Sequence, residues 1–399
     1  MRESDKNHNM RLRTILITAL IALLAACAQQ APAVRVMQDA HDGQGMHTPT
    51  DVVATTGSVD ATTVFMAATA PVIEPPATPS PPATMTTAPL ATAILETPTA
   101  APSPTSDPYS ALTIEGLAAR TYGEGTLQIA ETIHVTESFT RTLVHYPSDG
   151  LAIYGFMNVP FGPGPFPVAL VLHGYIPPEQ YGTIGYTTRY ADMLARAGYL
   201  VIHSNYRNHP PSDQTAAYAA GREVADFRVG YAVDVLNLVA IVQQQAGLAG
   251  PLVKADGQEV HLLGHSMGGG IALRVITVNS DVDAAVLYGS MSGDEVKNYE
   301  RILVWSNGEN GVEELATSLE DMQRISPIYH LQRIQSAVSI HHGDLDEVVP
   351  PEWSVELCQL LQQSGKIVEC FNYPGAPHSF HEETDRLFQQ RVIDFFNRY

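Results

Sequence analysis

Basic residues are scarce in this chain: 22 Lys and Arg stand against 42 Asp and Glu, for a formal net charge of −20. A protein that grips nucleic acid displaces counterions with a basic face, so this balance argues against nucleic acid as a partner. It argues equally against electrostatic attachment to anionic lipid and fits a well-solvated acidic surface. Cysteine is sparse, with three in 399 residues. Cys27 lies in the leader, so only Cys358 and Cys370 are left to bridge, and the sequence leaves open whether they form a disulfide or stay thiols. Long apolar runs are missing too. The leader stretch Ile15 to Ala26 is about a dozen residues, too short to span a bilayer comfortably as a helix. Internal repeats are not found.

What is present divides the chain. Arg2, Lys6, Arg11 and Arg13 precede the apolar stretch, which ends in Leu24-Ala25-Ala26-Cys27. This resembles the lipobox of bacterial lipoproteins, which implies removal of residues 1–26 as a signal peptide and acylation of Cys27. Several acyl chains on one residue anchor a protein stably, so membrane contact is expected only through this N-terminal lipid, with the protein exported to the cell envelope. Residues 27–108 are rich in Ala, Thr, Pro and Ser, without helical or strand periodicity, and read as a disordered tether. Residues 109–399 are long enough for one large domain.

Within that domain, Thr126 to Tyr146 alternates as one or two antiparallel strands and Leu151 to Val159 as another. Pro167 to His173 is a short continuous apolar run, as expected of a strand buried on both faces. Gly198–Ser204, Glu259–Gly264, Ala284–Tyr288, Val338–His342 and Ile367–Asn372 repeat the theme. Helical patterns over Thr188–Ala197, Glu223–Gln244, Gly268–Thr277, Trp353–Gln363 and Glu383–Arg398 lie between or after them. Such alternation predicts an α/β fold, a mainly parallel sheet with helices on both faces. Residues 290–333 form a long insertion between two strands and are expected to be a lid.

Gly264-His265-Ser266-Met267-Gly268 is G-x-S-x-G between a buried strand and a helix, the context that gives the motif meaning. A sharp turn there lifts the Ser266 hydroxyl above the carboxyl edge of the sheet. A serine needs a base to take its proton and an acid to hold that base. Two later loops at strand ends supply them in the order acid, then histidine: His342-Gly343-Asp344-Leu345-Asp346 and Pro377-His378-Ser379. Asp346 is preferred over Asp344, whose carboxylate is placed to bond the turn backbone. His378 is preferred over His381, which falls at a helix start. Oxyanion donors are expected from the N–H of Met267 and from Tyr175, in the loop after the first buried strand. His341 and His342 are neighbours on a strand and point to opposite faces, so they do not share a metal ion. His203 and His261 read as core or edge histidines. No cofactor and no metal are implied.

The stretch Tyr146 to Tyr175, Ser326-Pro327-Ile328-Tyr329 and the run to Val349-Pro350 resemble the catalytic domain of the prolyl oligopeptidase family. Asn205-Tyr206-Arg207 matches that family's Tyr-Arg after a strand, where the arginine is structural. The resemblance covers residues ~140 to 399 and implies the α/β-hydrolase fold, acyl transfer and the same three residues. His173-Gly174-Tyr175 lacks the second glycine common there, Asn208 replaces a glycine, and there is no room for a β-propeller. Related esterases and dienelactone-hydrolase-like enzymes share the same body. The substrate is therefore expected to be a small-molecule ester or a peptide, with a non-catalytic binding protein as the third reading.

Overall fold

Among the described residues nine strands form a single sheet whose spatial order is β1-β2-β3-β5-β4-β6-β7-β8-β9. The computed structural model describes residues 107–219 and 227–399, which belong to one compact unit. The leader, Cys27 and the tether as far as residue 106 lie outside the described residues. β1 (Gln128–Val135), β2 (Phe139–Ser148) and β3 (Leu151–Pro160) form an antiparallel meander. β3 pairs antiparallel with β5 (Leu200–Ser204). From there on every pairing is parallel: β5 with β4 (Phe166–Leu172), then β6 (Ala255–His265), β7 (Ala284–Tyr288), β8 (Ala337–Gly343) and β9 (Val368–Tyr373).

The central strands are apolar throughout because both of their faces are covered. Val168, Leu170 and Leu172 point into the larger core with α2 (Val229–Gln245), α3 (Met267–Val278) and α6 (Pro351–Gln363). Ala169 and Val171, one residue out of phase, point into the opposite core with α1 (Thr188–Arg196) and α7 (Glu382–Phe396). Residues 290–333 carry α4 (Glu295–Trp305) and α5 (Leu319–Ile325), with shorter helical turns around them. Ion pairs and hydrogen bonds tie this insertion to the body of the domain, among them those of Glu295 and Arg301. Glu295 accepts from Arg274 of α3 at 2.6 Å and from Arg228 at 3.1 Å. Arg301 donates to the carbonyls of Glu347 and Val348 at 2.6 and 3.1 Å.

The predicted helical pattern from Glu223 begins in residues 220–226, which lie outside the described residues; among the described residues α2 starts at Val229, after Phe227 and Arg228, which adopt left-handed backbone, φ 50° and 56°. Such residues do not continue a right-handed helix. Arg207 is bound by Asp234 of α2 (Nη2 to Oδ1 2.7 Å) and by Asp149 (3.2 Å), a structural tie between helix and sheet. Cys358 on α6 and Cys370 on β9 are joined as a disulfide.

Candidate active site

In the parallel part of the sheet, β4 is the first strand laid down, and its neighbours β5 and β6 fall on opposite sides of it. The loops after β4 and β6 therefore leave in different directions and open a crevice at their carboxyl ends, the usual ligand position in an open α/β sheet. Ser266 sits at that crevice. It follows the last residue of β6 and has φ 58°, ψ −119°, a conformation disfavoured for a residue with a side chain. The flanking glycines make the turn sterically feasible. A Cβ on Gly264 would lie 2.2 Å from Gly268 O, and one on Gly268 would lie 2.4 Å from Leu172 O. The turn is fixed by Ser266 N–H donating to Tyr288 O at 2.9 Å and Met291 N–H donating to Ser266 O at 3.1 Å.

Asp346 and His378 arrive from the loops after β8 and β9. His378 Nδ1 donates to Asp346 Oδ2 at 2.7 Å. The second donor to that oxygen is His342 Nε2 at 3.0 Å, and Asp346 Oδ1 accepts from the N–H groups of Val348 (2.9 Å) and Val349 (2.8 Å). Burial pushes the Asp346 carboxyl up, but hydrogen bonds from His342, His378 and Val349 outweigh it and hold the group well below the usual carboxylate range. The same set of donors excludes Asp344 from the imidazole. Asp344 Oδ1 instead accepts from Gly375 N–H at 2.6 Å, tying the acid loop to the loop that carries His378. His381 is exposed and stands just ahead of α7.

Gly289 shows how closely the three residues meet. It follows Tyr288, whose carbonyl holds Ser266, and a Cβ there would lie 3.2 Å from His378 Nδ1 and 3.5 Å from Asp346 Oδ2. Among the described residues no hydrogen bond joins Ser266 Oγ to His378. With Nδ1 held by Asp346, Nε2 is the nitrogen left for the serine. Such contacts are commonly loose before substrate is bound.

Met267 is the first residue of α3, where a backbone N–H has no partner within the helix. Tyr175 is 68 % exposed, so its contribution to the site would be through the main chain. Beside Met267 a small depression is lined by Phe227, Ile271 and Met291 together with Arg228, Arg274 and Glu295. His341 and His342 do point to opposite faces. His341 contacts Ser339 Oγ and Tyr373 Oη, while His342 contacts Ser354 and Asp346. Sequence reasoning missed His342 as a partner of the acid. Its place at the end of a strand on the same rim, four residues before Asp346, is the signal that could have found it.

This sheet order, with a strained G-x-S-x-G turn at the switch point and an Asp–His pair on the neighbouring loops, defines an α/β-hydrolase. Within that class the chain belongs to the dienelactone hydrolase family, whose model matches residues 153–399. Among curated proteins it is similar to a putative carboxymethylenebutenolidase of Synechocystis, 24% identical over 251 residues, 62% of this chain and 88% of that one. It is also similar to an uncharacterized peptidase of Bacillus subtilis, YtmA, 27% identical over 257 residues, 63% of this chain and 90% of the relative. Among solved structures, acetyl xylan esterase 1 of Thermoanaerobacterium matches with TM-score 0.52 at 18% identity, over 67% of this chain and 87% of that one. An acylaminoacyl peptidase of Pyrococcus horikoshii matches with TM-score 0.53 at 19% identity, over 66% of this chain but 42% of the peptidase. At these identities the two structures share the fold. The resemblance to prolyl oligopeptidases is thus one of a common hydrolase body, and the family is that of the dienelactone hydrolases.

Proposed function

We propose that this chain is a serine hydrolase that cleaves small carboxylic esters through an acyl-enzyme. The observation that carries the reading is the short Asp346–His378 hydrogen bond beside the strained turn at Ser266. In this reading His378 Nε2 takes the Ser266 proton as Oγ attacks the carbonyl carbon. Asp346 keeps the imidazole in the tautomer that leaves Nε2 bare and stabilises the imidazolium that forms. The N–H groups of Met267 and Tyr175 receive the oxyanion. His378 then protonates the leaving group, and a water activated by the same nitrogen releases the acid.

Small esters are favoured by membership of the dienelactone hydrolase family and by the similarity to a putative carboxymethylenebutenolidase. A second reading, peptide or aminoacyl amide hydrolysis, is favoured by the similarity to the Bacillus peptidase. It uses the same steps with an amine as leaving group. For the N-terminus we propose acylation at Cys27 and an exported, lipid-anchored protein. The lipobox-like Leu24-Ala25-Ala26-Cys27 supports this, and Cys27→Ala should move the protein from the membrane fraction to the soluble one.

A fluorophosphonate probe tests the central claim. Wild type should label within minutes and Ser266→Ala not at all, since only an activated serine is phosphonylated quickly. A wild-type protein that resists the probe would contradict the reading. A panel of p-nitrophenyl esters and aminoacyl amides then separates the two substrate classes by kcat/KM.

A further inference from the structure

Tyr186, near the end of the segment that leaves β4, places its hydroxyl between two groups of different loops. On one side Gly174 N–H lies 2.6 Å away and can only donate, so the phenol oxygen accepts there. On the other side stands His265 Nδ1, at 3.0 Å. The far ring nitrogen of His265, Nε2, is 3.1 Å from the main-chain carbonyl oxygen of His378, which can only accept. A neutral imidazole carries one proton. Here that proton must be on Nε2, and the bare Nδ1 takes the phenol proton. Burial and the neighbouring His378 push the His265 imidazole down to about 3, so it stays neutral at working pH. The chain thus has one polarity from end to end. Gly174 N–H donates to Tyr186, Tyr186 O–H donates to His265, and His265 N–H donates to the carbonyl of His378.

We propose that Tyr186 and His265 form a positioning relay that holds the oxyanion loop after β4 and the histidine loop after β9 in one register about Ser266. The inference rests on the serine-hydrolase reading above and adds to it two residues that touch no reacting atom. Because Tyr186 engages the Gly174 N–H, the loop's contribution to a developing oxyanion falls to the next residue, Tyr175. The relay is pressed against the turn itself. A Cβ on Gly174 would lie 2.9 Å from both Ser266 Cβ and Tyr186 Oη. His265 is confined between two rings, 4.7 Å from that of His378 and 4.4 Å from that of Tyr288. It is the variable residue between Gly264 and Ser266, so the same backbone that carries the nucleophile carries the middle of the relay. A shift at either end is transmitted to the other through three hydrogen bonds and one rigid imidazole ring. Displacements of about 1 Å in such a site cost on the order of 100-fold in rate.

The test uses the full chain with p-nitrophenyl acetate and a fluorophosphonate, and compares Tyr186→Phe, His265→Leu and His265→Gln. Glutamine is the informative variant, since its amide oxygen can accept the phenol proton while its NH₂ donates to the His378 carbonyl, which keeps the polarity. Tyr186→Phe and His265→Leu are expected to lower kcat and phosphonylation rate about 10- to 100-fold with KM within about threefold. His265→Gln should stay within about fivefold of wild type, and the double variant Tyr186→Phe/His265→Leu should be no slower than the worse single one, because both break the same chain. Melting temperatures of all four variants identify any loss that is merely unfolding. If wild type labels and His265→Gln is as slow as His265→Leu, or if the double variant is additive, the relay is wrong while the hydrolase reading stands. If Tyr186→Phe matches wild type the relay is wrong as well. If wild type does not label, the hydrolase reading fails and takes the relay with it.

Discussion

Replacing Asp346 by asparagine exchanges one oxygen for an NH₂ group and leaves the shape of the side chain intact. The surroundings then dictate which way the amide must lie. Oδ1 accepts from two main-chain N–H groups, those of Val348 and Val349, and neither can ever accept in return. The amide oxygen is therefore held on that side, and the NH₂ occupies the former position of Oδ2, facing His378 Nδ1 and His342 Nε2. Two donors now confront two donors unless both imidazoles change tautomer. His342 is not free to do so, because its Nε2 also donates to the carbonyl oxygen of Val349 at 3.1 Å, which can only accept. His378 can do so only by carrying its proton on Nε2, the nitrogen that has to be bare to accept the Ser266 proton. The expected loss in kcat is about 10⁴-fold, or ~5.4 kcal/mol of barrier. A stopped-flow measurement of phosphonylation, with ester hydrolysis alongside, reads this directly. An Asp346→Asn protein within tenfold of wild type would refute the reasoning, because the tautomer would then not depend on this carboxylate.

Two further predictions concern the fold that carries the site. His261 is fully buried against Phe396, at 4.7 Å between ring centroids, and among the described residues neither of its ring nitrogens has a hydrogen-bond partner, Nε2 standing 3.7 Å from Glu259 Oε1. His261→Leu removes two unsatisfied buried groups, so chemical denaturation should show a gain of about 1–2 kcal/mol, and a loss would show that the imidazole is satisfied after all. Burial lowers the imidazoles of His203 and His261 to about 4 and, with charged or ionisable neighbours adding to it, those of His265 and His341 to about 3, all from an ordinary 6.5. The unfolded chain therefore binds more protons than the folded one below 6.5, and stability present above that pH is lost as pH falls towards 4. Four independent groups would remove up to about 4 kcal/mol between pH 6.5 and 5.5. Urea midpoints that stay flat over that interval would contradict the burial of these rings.

Much of the fold was legible because the strands of a doubly covered sheet must be continuously apolar, and Ala284–Tyr288 coincides with its sequence pattern to the residue. The G-x-S-x-G turn was legible for a steric reason, as the two glycines admit backbone within contact distances that a side chain would block. The left-handed backbone of Phe227 and Arg228 just ahead of α2 was not legible, because both residues have ordinary helical composition. The exposure of Tyr175 escaped for a related reason: a loop residue's side-chain direction depends on backbone angles that periodicity does not report. Tyr186 escaped because it lies in the largely irregular segment of 15 residues between β4 and α1, where nothing marks one tyrosine from another. Its role appears only when the loops after β4, β6 and β9 are brought together.

The main-chain groups at the rim of the sheet also explain why so few side chains can be exchanged there. Val348 and Val349 N–H fix the orientation of the Asp346 carboxylate, and that carboxylate fixes the proton of His378 on Nδ1. At the other end, Gly174 N–H and the His378 carbonyl fix the direction of the Tyr186–His265 bonds. Backbone donors and acceptors cannot reverse their roles, whereas hydroxyls and imidazoles can. Each reversible group in the site lies on a path that ends on irreversible ones. The polarity of the whole constellation therefore follows from where the sheet and its loops place their peptide groups, and a substitution that preserves volume but reverses a donor should cost more than one that preserves the donor and loses volume.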